Sequence, residues 1–135
     1  MKNICTDLEI SRKLKELGLN VETQLYYTKI DNDKYSIRSY HSEFVKDMKL
    51  CPEDVYIATY TLEQILNKLP KSINSGSLWY NLNFDYTEEC IEYKWISDEP
   101  YTEDKILIWE LRDVADNFAT TAAKLWIQLK NYEII

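Results

Sequence analysis

At 135 residues, with 45% hydrophobic and 29% charged side chains, the chain has the size and composition of one globular domain with its own core. Two glycines exclude a Gly-rich phosphate loop, and three scattered cysteines with a single histidine exclude the usual Cys/His zinc spacing. The net charge of −7 disfavours direct nucleic-acid binding, because phosphate contacts need Lys and Arg.

The first helix is predicted over residues 7–17. Thr6-Asp7-Leu8-Glu9 has the form of a capping box, Thr followed three residues later by Glu. Ile10, Leu14 and Leu17 repeat on one face, and Gly18 then Leu19 suit a glycine C-terminal cap. Residues 24–30 and 35–40 read as two strands joined at Asp31-Asn32-Asp33-Lys34, a hairpin. Residues 41–54 read as a loop, with 55–58 as a short extended lead-in. A second capping box, Thr61-Leu62-Glu63-Gln64, opens a helix over 62–69 that Pro70 stops.

Residues 71–76 read as a loop. Leu78, Tyr80, Leu82 and Phe84 then alternate with polar neighbours and Trp79, a half-buried strand. Ile91, Tyr93 and Trp95 mark the returning strand. Residues 106–111 fit either a strand or a helix, and β-branched and aromatic content favours the strand. The last helix spans about 118–130, capped by Asp116 or Asn117, with Phe118, Ala122, Leu125, Trp126 and Leu129 on its apolar face. The apolar tail 132–135 is expected to pack. Trp79 and Trp126 fit either a core or an interface. The order is α-β-β-α-β-β-β-α: a single α+β domain over 1–135, with a mainly antiparallel sheet of about five strands and three helices.

The N-terminus alternates charge with apolar residues, and no stretch approaches 18 apolar residues. A soluble, cytoplasmic protein with no membrane partner is expected. Cys5, Cys51 and Cys90 read as reduced thiols, at least partly buried. Cys90 lies beside Glu89 and Glu92, whose charge raises a thiol pKa and argues against a nucleophile. General-base or metal use of His41, the single histidine, would need partners, of which Glu43 and Cys51 are the nearest in sequence, and a structural or surface role is expected. Asp31 and Asp33 resemble the start of a calcium loop, but Ser36 and Ser42 stand where Gly and Glu are needed.

The charge is uneven. Residues 1–84 are neutral overall, and residues 85–116 hold 11 acidic and 3 basic side chains. Within them Asp85, Glu88, Glu89, Glu92, Asp98, Glu99, Glu103 and Asp104 make a candidate interaction surface for a basic protein. The aromatic residues interleaved there, Tyr86, Tyr93, Trp95, Tyr101 and Trp109, suit either a core or a pocket that stacks a nucleotide-like ring. In the pocket reading Arg38 or Arg112 supplies the cation. Adjacent carboxylates usually face solvent, so neither a metal site nor any other cofactor is expected. No catalytic motif is present, which leaves enzyme activity as a third reading.

Three blocks, CTDLEISRKLKELG, YTLEQILNKLP and TAAKLWIQLKN, resemble a group of small phage- and prophage-encoded proteins of unknown function. Similarity to the phage α-β-α sandwich domain is weaker. In that group Asn-Gly often follows the last helix, where this chain has Asn131-Tyr132. The resemblance implies a phage or mobile-element origin and a host-cell setting for any partner. It carries over no catalytic residue.

Overall fold

The structure is a computed structural model, and it describes residues 4–48, 51, 55–75, 78–85, 90–98, 101–110 and 117–135. In chain order the elements are α1 (Leu8–Glu16), β1 (Leu25–Asp31), β2 (Lys34–Ser39), α2 (Ser42–Met48), β3 (Tyr56–Ala58) and α3 (Leu62–Leu66). β4 (Ser72–Ser75), β5 (Leu78–Asp85), β6 (Cys90–Asp98), β7 (Tyr101–Glu110) and α4 (Phe118–Asn131) follow. The α+β class stands. The count differs: the described residues form four helices and seven strands in two antiparallel sheets, ordered β2-β1-β3 and β4-β5-β6-β7.

Each extra element has a physical reason. His41 Nδ1 accepts from the Glu43 amide at 3.3 Å and opens α2 within the expected loop. Residues 55–58, expected to be extended, become β3 by pairing with β1, Tyr27 opposite Ile57. β4 forms because Ile73, opposite Tyr80 of β5, is drawn into the core. The ambiguous segment near 106 is strand, as favoured, and β7 starts five residues before it.

The caps divide. Thr61 and Gln64 form the capping box: Gln64 Oε1 accepts from the Thr61 amide at 2.9 Å, and Thr61 Oγ1 from the Gln64 amide at 3.4 Å. At α1 the expectation is corrected by one residue. Asp7 is the cap, accepting from the Ile10 amide at 2.8 Å. Thr6 is committed elsewhere. It is fully buried, its hydroxyl meets Ser11 Oγ at 2.7 Å and Thr59 Oγ1 at 3.0 Å, and its carbonyl accepts from Tyr27 Oη at 2.9 Å. The network extends to α4, where Thr120 Oγ1 accepts from the Asp7 amide at 3.0 Å and Asn117 Nδ2 donates to the Cys5 carbonyl at 2.8 Å. The starts of α1, α3 and α4 therefore meet at residues 5–7, which also bridge to Thr61.

One apolar cluster joins α1 (Leu14), α3 (Ile65), the four-stranded sheet (Ile73, Tyr80, Ile91, Tyr93) and α4 (Ala122, Leu125, Trp126, Leu129). Trp126 is thus a core residue, and Trp79 is 60% exposed. The tail is corrected too: Tyr132, Ile134 and Ile135 are exposed.

Candidate functional site

The acidic stretch falls on β5, β6 and β7. β6 pairs with β5 over 90–94 and with β7 over its whole length. Beyond Lys94, among the described residues, residues 95–98 and 101–104 form a two-stranded ribbon paired only with itself. An extra residue, Ile106, shifts the register at the root of this ribbon, where Lys94 stands opposite Lys105. Asp98 pairs opposite Tyr101, Glu103 opposite Ile96 and Asp104 opposite Trp95. Successive strand positions alternate between faces, so Glu103 and Asp104 occupy positions on opposite faces of the ribbon.

Glu92 is a correction. It is 0% exposed and cannot belong to an interaction surface. Its Oε1 accepts from Asn83 Nδ2 at 3.1 Å, and its Oε2 lies 3.5 Å from the buried thiol of Cys90. Hydrogen bonding of this kind lets a carboxyl group stay inside. Asp85 pairs opposite Cys90 and is half-buried. Glu88, Glu89, Glu99, Tyr86 and Arg112 lie outside the described residues.

The aromatic residues of this region do not converge on a pocket where their side chains are described. Tyr93 is fully buried and donates to the Pro70 carbonyl at 2.6 Å, and Trp95 packs against the core. Arg38 is exposed on β2, its Nε donating to Ser36 Oγ at 3.2 Å.

A groove of about 710 Å³ lies instead between α1 and α4. Ile10 and Ile127 give it apolar walls, Arg12, Lys13 and Lys124 bring cations, and Glu9 and Glu16 bring carboxylates. Lys13 and Glu16 pair across 4.0 Å. The Arg12 guanidinium stacks 5.3 Å from the Tyr35 ring centroid and donates to Tyr35 Oη at 3.2 Å. No sequence signal pointed to this place. Helical periodicity marks Ile10 as inward-facing, but it does not tell that two packed helices leave a gap.

Protein-family models, curated proteins and solved structures give no match to this chain.

The remaining candidates are structural. His41 caps α2, Asp31 ends β1 and Asp33 lies in the hairpin turn, where Asp31 Oδ1 accepts from the Asn32 amide at 2.8 Å. Among the described residues no three His, Cys, Asp or Glu side chains gather as a metal site would require. The three cysteines are free thiols: Cys5 and Cys90 are buried and Cys51 is exposed. Burial pushes the Cys5 thiol above its ordinary pKa, against a nucleophilic role. No helix among the described residues is long and apolar enough to cross a membrane.

Proposed function

We propose that the chain is a non-enzymatic binding protein whose acidic β6–β7 ribbon engages a protein with a basic surface. One observation carries this reading. The sequence 95–104 contains four carboxylates, Asp98, Glu99, Glu103 and Asp104, and no cation, and its described residues, 95–98 and 101–104, pair only with one another. Charge of one sign concentrated on a ribbon raises the rate of encounter with a partner of opposite charge. Lys94 and Lys105 stand at the ribbon's root, Asp104 and Glu103 occupy the first two pairs beyond it, and Asp98 lies in the pair farthest from it among the described residues. Glu92 plays no part in contact; it belongs to the sheet that holds the hairpin. The resemblance to phage-encoded proteins makes a host protein the natural class of partner.

The test is a pull-down from host lysate at low and high salt. Wild type is compared with a variant carrying Asp98→Asn, Glu99→Gln, Glu103→Gln and Asp104→Asn, and with a Glu9→Gln, Glu16→Gln control. The expected result is one partner, retained at low salt, released at high salt, kept by the control and lost by the ribbon variant. A ribbon variant that melts like wild type and still captures the same partner would overturn the reading, as would finding no salt-sensitive partner.

A further inference from the structure

A smaller cleft, of about 190 Å³, lies between α2 and the three-stranded sheet. Its walls are Tyr40, Phe44, Asp47, Met48, Cys51 and Tyr56. Phe44, Asp47 and Met48 are spaced i, i+3 and i+4, so one face of α2 supplies three of them. Tyr40 follows β2, and Tyr56 opens β3.

The tyrosine walls are set in place. Their rings stand nearly perpendicular, at 85° with centroids 5.8 Å apart. Tyr26 packs against Tyr40 edge-on at 6.2 Å, and Tyr40 Oη lies 2.5 Å from Thr28 Oγ1. The Tyr40 amide donates to the Gln24 carbonyl at 2.7 Å. Phe44 is different: it is 62% exposed, an aromatic ring left largely in water beside a concave space.

The lining has one electrical sense. Aromatic faces are negative, and the Met48 sulfur is polarizable. Asp47 adds a carboxylate, which has no ion-pair or hydrogen-bond partner among the described residues. No Lys or Arg lines the cleft, so an anion has nothing to hold it. Three rings and one carboxylate suit a cation. A primary ammonium brings three N–H donors and a tight hydration shell, which rings and a thioether do not replace. A quaternary ammonium has no N–H to satisfy, and its methyl groups match apolar walls. The volume lies below the roughly 300–1,000 Å³ of drug-sized pockets, which suits a headgroup alone.

We propose that this cleft binds a quaternary ammonium group, its methyl groups against Tyr40, Phe44 and Tyr56 and its charge beside Asp47. The group is carried by a free molecule such as choline or by a trimethylated lysine of another protein, and the two sources are separated by the test. The proposal is independent of the acidic ribbon, which lies on other elements, and either can fail alone.

The probes are tetramethylammonium, choline, a trimethyl-lysine peptide, the same peptide with unmodified lysine, and dimethylbutanol, the uncharged analogue of choline with carbon in place of nitrogen. Each is titrated into the intact protein and followed by NMR. At least one quaternary ion is expected to bind with Kd below about 1 mM, and the tighter of choline and the methylated peptide identifies the carrier. Dimethylbutanol and the unmodified peptide should bind at least about tenfold more weakly. Phe44 and Asp47 are both exposed, so Phe44→Ala and Asp47→Lys should melt close to wild type. Each should weaken binding at least about fivefold. The proposal is overturned if no quaternary ion binds at millimolar concentration, if dimethylbutanol binds as tightly as choline, or if Phe44→Ala binds like wild type. Shifts on wild type that map away from α2, Tyr40 and β3 would overturn it without any variant.

Discussion

Tyr27 and Tyr60 are each buried, and burial pushes each phenol up to about 12, with Asp7 adding to the effect at Tyr27 and Tyr26 at Tyr60. The hydrogen bond from Tyr27 Oη to the Thr6 carbonyl also requires the protonated form. An unfolded tyrosine ionises near 10, so between pH about 10 and 12 the folded state holds protons that the unfolded state has released. The stability these groups contribute is therefore complete below pH about 10 and is lost as pH rises toward 12. Urea midpoints measured from pH 8 to 11.5 should fall above pH 10, and Tyr60→Phe should make the fall shallower. A midpoint flat through this range would contradict the burial described for these phenols. Thr6 illustrates how one residue's other bonds decide its role. Its hydroxyl is within reach of Ser11 and Thr59, so the cap passes to Asp7 although the Thr-x-x-Glu spacing is intact.

The two long helices end alike, on different residues. After α1, Gly18 takes φ +80°, its amide donates to Lys15 and the Leu19 amide donates to Leu14 at 3.0 Å. After α4 the same pair recurs: the Glu133 amide donates to Lys130 at 3.1 Å and the Ile134 amide to Leu129 at 3.0 Å. There the left-handed position is held by Glu133, at φ 58°. A side chain in that conformation costs about 1 kcal/mol relative to glycine. Glu133→Gly should therefore stabilise the protein by about 1 kcal/mol, and Gly18→Ala, with open space around the added methyl, should destabilise it by a similar amount. Thermal or urea unfolding of the two variants checks both signs. The first cap was legible because glycine announces it; the second was not, since nothing about Asn131-Tyr132-Glu133 marks a cap. The same contrast runs through the fold. Hairpins and long helices follow from alternation and spacing within one segment. β3, β4 and α2 are three to seven residues long and owe their form to neighbours across the sheet or to one His41 contact. Charge was legible as a total for 85–116, whereas the burial of Glu92 depends on Asn83 across the ladder and on Cys90. The groove between α1 and α4 was illegible altogether, being a property of how two helices pack.

On the scale of the molecule, the apolar cluster ties α1, α3, the four-stranded sheet and α4 together, while the three thiols sit in three different settings. Cys51 is exposed, Cys5 lies where three helices begin, and Cys90 lies on β6. A thiol reagent followed by mass spectrometry should modify Cys51 at once. Cys5 and Cys90 should wait for opening of the fold, and a shared core should give both the same opening free energy. Unequal protection would show that the sheet opens separately from the helices. The seam around residues 5–7 also sets a condition on how the chain is made. The Asp7 amide bonds to Thr120, and the Cys5 carbonyl to Asn117, across more than a hundred residues. On the ribosome, residues 5–7 emerge long before their partners exist. The seam cannot close until residue 120 has left the exit tunnel, so it forms only after the strands and helices between its two sides have emerged.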